Sequence, residues 1–125
     1  LQFHGDEKPE FCAQFSQPYI KAIRVRPQTD LLQYAQRYSS AKGLLLDTYA
    51  ENMPGGTGHA FDWQLIPRHL PLPLILSGGL NPGNVAAAIT QTQPWAVDVS
   101  SGVETAKGIK DEKKIFAFMQ GVKRL

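Results

Sequence analysis

The stretch that decides the fold is Leu74–Ile89, "LILSGGLNPGNVAAAI". A short apolar run, Leu74–Leu76, stops at Ser77 and two glycines. Asn81-Pro82 then reads as a helix N-cap followed by proline in the first turn. Val85, Ala88 and Ile89 follow at helical spacing. Strand, glycine turn and capped helix make one βα unit.

The same unit recurs on both sides of it. Apolar runs predict strands at Leu1–His4, Tyr19–Val25, Gly43–Leu46, Leu74–Leu76 and Trp95–Val99. Between them, Phe11, Cys12 and Phe15 share a helical face, as do Leu31, Leu32, Ala35 and Tyr38. The pattern returns at Trp63, Leu65 and Ile66, and closes with Ile115, Phe118, Met119 and Val122. Thr29 or Asp30, Asp62 and Asp111 are the expected caps.

Strands that read as continuous apolar runs rather than alternating ones predict a parallel sheet covered on both faces. The class is therefore α/β. Five units in 125 residues is roughly 25 residues each, so eight would need about 200, the lower end for a TIM-type (β/α)8 barrel. An open, doubly wound sheet of five strands is the alternative. The sequence begins inside a strand, at "LQFHG", and the simplest account is a partial barrel. Residues 1–125 would then be a single domain of about five βα units, strands 4–8 of eight. Its outer strands would carry unpaired edges, which favours self-association or pairing with missing N-terminal units.

Composition narrows the function. The chain is 42% hydrophobic and 19% charged, with a net charge of only +2 and its 13 basic residues scattered. That gives nucleic-acid binding little support. No segment approaches the about 18 apolar residues of a membrane span, and no signal-like segment opens the sequence. One cysteine, Cys12, rules out an internal disulfide framework and suggests a reducing cytoplasm. The three histidines and the cysteine have no metal-binding spacing, so no metal is expected.

In α/β sheets and barrels, chemistry gathers at the carboxyl ends of the strands. Here those ends carry His4-Gly5-Asp6, then Arg24 and Arg26, then Asp47, then "SGGL" (Ser77–Leu80), then "DVSSGVE" (Asp98–Glu104). Gly78 and Gly79 would let backbone N–H groups approach an anion. Ser100, Ser101 and Gly102 supply a second set of small residues one unit later. Paired loops after the last two strands of a barrel recur as phosphate sites, and a tight βα turn is the plainer reading of either loop alone. Asp47 either caps its loop or serves as a general acid in a dry cleft. Asp98, two strands on, could face the same mouth. His4 is a candidate substrate ligand or a satisfied structural histidine. Cys12, between Phe11 and Phe15, reads as a small buried hydrophobe, and Trp63 and Trp95 as core anchors. "GGTG", Gly55–Gly58, lacks nucleotide-loop spacing and reads as a mobile active-site loop.

Taken in order, "LQFHGDE", "IKAIRV", "LLLDT" with "GGTGHAFDW", "LILSGGLNPGNV" and "AVDVSSGVE…KGIKD" resemble the phosphoribosylanthranilate isomerase family of tryptophan biosynthesis. The resemblance implies a (β/α)8 barrel, of which this sequence looks like the fourth strand onward. It implies an Amadori rearrangement of a phosphorylated small-molecule substrate, with no cofactor. Asp47 matches the family's general acid. The phosphate would lie against Gly78, Gly79, Ser100, Ser101 and Gly102, while His4, Asp98 and Glu104 match positions beside the substrate. The family's general-base cysteine matches nothing here, so these residues alone are expected to be inactive. Two rivals share the phosphate loops: another phosphate-binding barrel of the indole-glycerol-phosphate synthase or histidine-pathway type, and a non-catalytic phosphate-binding half-barrel.

Overall fold

All five expected strands form, in a computed structural model that describes residues 1–48 and 63–123. They are β1 (Gln2–Phe3), β2 (Ile20–Arg24), β3 (Gly43–Asp47), β4 (Leu74–Ser77) and β5 (Ala96–Val97). Every neighbouring pair is parallel and the order in the sheet is the order in the chain, β1-β2-β3-β4-β5. A doubly wound sheet reverses its strand order at a switch point. This one never reverses, which excludes the open doubly wound alternative and leaves an α/β fold wound in one direction.

The helices are α1 (Pro9–Ala13), α2 (Leu31–Arg37), α3 (Val85–Thr92) and α4 (Glu112–Lys123). Leu44 and Leu46 of β3 are fully buried, whereas Leu45 and Asp47 are half-buried; Leu74 and Leu76 alternate with Ile75 and Ser77 on β4 in the same way. The buried set forms one core with Cys12, Leu31, Ala35, Val85, Ala88 and Phe118 from the helices. All four helices thus cover one face. Among the described residues the expected burial of both faces does not hold: Leu45 and Ile75 are apolar but only half-buried, with no described helix above them, so hydropathy alone could not reveal the alternation.

The local elements depart from expectation where packing overrides pattern. Only Cys12 of the α1 face is buried; Phe11 and Phe15 are about half-exposed and join Phe3 in an aromatic cluster at the sheet edge. Asp30 caps α2, accepting from Gln33 N–H at 3.0 Å, while Thr29 accepts from Arg26 N–H. Asp111 caps α4 through Lys113 and Lys114 N–H, and the backbone donor of Lys114 holds its carboxyl below the usual range. Of the expected α4 face, Phe118 alone is buried. Trp63–Leu65 is a single 3-10 turn rather than an α-helix. Its expected cap, Asp62, and the Gly55–Gly58 loop lie outside the described residues. Trp63 is buried as expected, but Trp95, just before the edge strand β5, is 77% exposed, and no further strand pairs with β5 among the described residues.

Asn81 is not the cap of α3. The helix starts at Val85; Asn81 Oδ1 accepts from Gly83 N–H at 2.7 Å, and its carbonyl accepts from Asn84 and Val85 N–H. The proline is used in a turn that precedes the helix. The structure also adds an unexpected antiparallel hairpin, β6 (Glu104–Ala106) with β7 (Ile109–Lys110), turning at Gly108 with φ 80°. The Lys107-Gly108 pair was its sequence signal.

Candidate active site

Strand register assembles the site. Arg24 pairs with Asp47 across β2 and β3, and Asp47 with Ser77 across β3 and β4. These three residues form one row at the carboxyl ends, on the face the helices leave uncovered. Asp98 continues it: its N–H donates to Leu76 O at 2.8 Å, and Ser77 Oγ donates to Asp98 Oδ2 at 3.0 Å. Ser77 therefore joins the strand-paired Asp47 to the carboxylate of Asp98. The two acids lie on one row, Asp47 half-buried and Asp98 exposed. Buried Thr48 ties the row to the next loop, its hydroxyl donating to Ser77 O at 2.9 Å and Gly78 O at 3.0 Å.

The two glycine-serine loops touch. Gly78 and Gly79 adopt φ of 87° and 70°, a region that favours glycine. A side chain built at Gly79 would meet open space. Gly102 is the opposite: a Cβ there would lie 1.8 Å from Leu80 O. Leu80 lies in the loop after β4 and Gly102 in the 3-10 turn Ser101–Val103 after β5. This close approach brings Gly78, Gly79, Ser100, Ser101 and Gly102 into one neighbourhood. Lys110, on β7, adds a cation beside it, donating to Ser100 O at 3.0 Å and pairing with Glu104 at 2.7 Å. That ion pair holds the Glu104 carboxyl below the usual range and commits it to the hairpin.

On the other side, His4 is exposed and lines a cavity that Arg24 also borders. Its loop is anchored from below. Lys21, 2% exposed, donates to Gly5 O at 2.6 Å and Glu7 Oε1 at 3.0 Å. Glu7 accepts in turn from Gly5 N–H at 2.9 Å, and Tyr38 OH donates to Glu7 O at 2.6 Å. The hydrogen bond from Lys21 depresses the Glu7 carboxyl. Cys12 is fully buried on α1, away from the row, and burial raises its thiol.

The structure thus joins Asp47 and Asp98 through Ser77, brings the two loops together, and places His4 at the Arg24 end. Thr48, Lys21 and Lys110 had no role in the sequence reading, and Ser77 entered it only as the first residue of "SGGL", not as a link between the acids. Of these, only Lys21 left a signal, a lysine in the middle of an otherwise apolar strand. Among the described residues no cluster of His, Cys, Asp or Glu could hold a metal ion.

The family model for N-(5'phosphoribosyl)anthranilate (PRA) isomerase matches residues 1–121. A curated N-(5'-phosphoribosyl)anthranilate isomerase from Nitrosospira multiformis is 75% identical over 98% of this chain, and one from Nitrosomonas eutropha is 69% identical. The chain spans 59% of the length of each. The crystal structure of phosphoribosyl anthranilate isomerase from Thermotoga maritima superposes with a TM-score of 0.84 at 43% identity, covering 99% of this chain and 61% of that one. Another solved isomerase, 36% identical with a TM-score of 0.74, is in complex with reduced 1-(o-carboxyphenylamino)-1-deoxyribulose 5-phosphate. None of these names speaks to a base cysteine, and the expectation of its absence is not borne out. The chain belongs to the N-(5'-phosphoribosyl)anthranilate isomerase family.

Proposed function

We propose that the protein takes part in tryptophan biosynthesis as an N-(5'-phosphoribosyl)anthranilate isomerase. It converts this aminosugar to 1-(2-carboxyphenylamino)-1-deoxyribulose 5-phosphate. Residues 1–125 correspond, in this reading, to one domain segment: βα units four to eight of a (β/α)8 barrel. Strand order equal to chain order, helices on one face and the 59% span of the relatives support it.

Asp47 is the general acid. Protonating the ribose ring oxygen breaks its bond to C1 and opens the sugar to a Schiff base. Loss of the C2 proton to a base then gives an enolamine. The base returns its proton to C1 and the enol hydroxyl gives up its own, which replaces the proton donated by Asp47, and the ketone forms. Atoms and electrons balance within the substrate, so the step consumes no redox partner. The phosphate lies against Gly78, Gly79, Ser100 and Ser101, with Gly102 allowing the loops to meet. Asp98 and Glu104 lie near the sugar and amine of the substrate, with His4 beside the site. A cytoplasmic location suits this role, and no described helix is long and apolar enough to cross a membrane.

The observation that carries the proposal is the Ser77 link between the Asp47 row and Asp98, beside two touching loops. Turnover of the phosphoribosyl substrate by the protein in its full reading frame tests it. Asp47→Asn should lower kcat by about 10²–10⁴-fold, the usual worth of a general acid, while phosphate affinity stays. An unchanged rate in that variant removes Asp47 from the role, and absence of turnover in the unaltered protein removes the activity.

A further inference from the structure

A cavity of about 640 Å³ opens beside β1 and β2, and its lining is out of proportion to the protein's weak net charge. Arg24, Arg26 and Arg37 line it together with His4, and among the described residues Asp6 is the only carboxylate in the lining. Lys21 also borders it, but its charge is committed to Glu7 and to the Gly5 carbonyl.

The fold brings these like charges to one cavity from two parts of the chain. Arg24 ends β2, Arg26 lies two residues beyond it, and Arg37 comes from the last turn of α2. Arg24 has interactions of its own, so the weight falls on the other two. The Arg37 guanidinium lies 5.9 Å from the Tyr34 ring and 5.8 Å from the Tyr38 ring. Those rings are stacked at 11°, and Tyr38 is anchored to the Glu7 carbonyl. Such stacking holds a guanidinium plane while leaving N–H groups at its edge for an acceptor. Arg26 opens a turn closed twice by Thr29, through Thr29 Oγ1 at 2.9 Å and Thr29 N–H at 3.0 Å.

We propose that this cavity is a binding site for a phosphate-type dianion, held between Arg26 and Arg37. Guanidinium groups arriving from two elements suit an anion with several oxygens, each able to take a charge-assisted hydrogen bond. The volume exceeds that of the bare ion and admits the small organic body of a phosphomonoester. The site is separate from the loops after β4 and β5, because β2 and β4 stand two strand spacings apart, about 10 Å. His4 lines the cavity and belongs to the substrate end of the proposed active site, so occupancy should be felt in substrate KM.

The test is a calorimetric titration of the full-length protein with inorganic phosphate, and separately with ribose 5-phosphate, at low and high chloride. Wild type should bind two equivalents, and Arg26→Gln/Arg37→Gln one, the lost site weakening at least about tenfold, as removal of charged hydrogen bonds predicts. Its affinity should fall with chloride, since both arginines are exposed. Equal stoichiometry and affinity in the two proteins overturns the proposal. If wild type binds one equivalent and the double variant none, this site stands and the phosphate role of the β4 and β5 loops fails instead. Preference for ribose 5-phosphate over phosphate identifies a monoester as the ligand; equal affinity identifies the free ion. Circular dichroism of the double variant should match wild type, since both side chains are solvent-facing.

Discussion

Lys21 shows how one residue ties the sheet to a loop. Two-residue periodicity places it with Ile23 on the helix-covered face of β2, where a charged group is costly. It is tolerated there because Glu7 and the carbonyl of Gly5 converge on its ammonium. Lys21→Met should cost about 3 kcal/mol in urea unfolding at pH 7, the lower end of buried-pair losses, because Glu7 is partly exposed. The pH dependence has a definite sign. The Glu7 carboxyl is depressed in the folded state from its ordinary 4.5. Its contribution is therefore present above that value and lost as pH falls through the folded pKa. That part of the acid limb should disappear in Lys21→Met. Equal stability of the two proteins at pH 7 would count against the pairing. "LQFHGDE" showed the strand end and its histidine, but not this anchor, because Lys21 and Glu7 lie 14 residues apart.

At the scale of elements, the two glycine-serine loops depend on one contact. Gly102 sits where a methyl group would come within 1.8 Å of the Leu80 carbonyl oxygen. A backbone oxygen cannot rotate away as a side chain can, so one loop must move. Gly102→Ala should destabilise by about 1–3 kcal/mol, the usual cost of overpacking, and weaken phosphate binding more than it lowers the thermal midpoint. Unchanged phosphate affinity would mean that the contact does not shape the site. The loops were legible as glycine-serine punctuation, and the strand–turn–helix order around the first was correct, whereas the hairpin of β6 and β7 intervenes after the second. The start of α3 was not legible, because a proline at a first turn looks the same in a helix and in the turn that precedes one.

Across the whole molecule, the sheet presents one finished face and one open face. Leu45 and Ile75 are only half-buried, and β1 and β5 each pair on one side among the described residues. Phe11, Phe15, Phe116 and Trp95 add exposed apolar surface. A closed barrel would cover the open face and both edges. Residues 1–125 taken alone should therefore self-associate, with the sedimentation coefficient rising from low to high micromolar concentration. A single monomeric species over that range would show that these surfaces are tolerated in water.

The sequence by itself determined the five strands, the four α-helical segments among them and the placement of acids, arginines and glycines at strand ends. Those features are local: each follows from hydropathy, spacing and turn chemistry within a few residues. Tertiary structure decided the rest. Strand order and the choice of covered face depend on which strands pair, and runs such as "LLLD" are apolar in either register. The link from Asp47 through Ser77 to Asp98, the touching loops at Gly102 and the arginine-lined cavity all join residues distant in sequence. Only the pairing of parallel strands brings those residues within reach of one another.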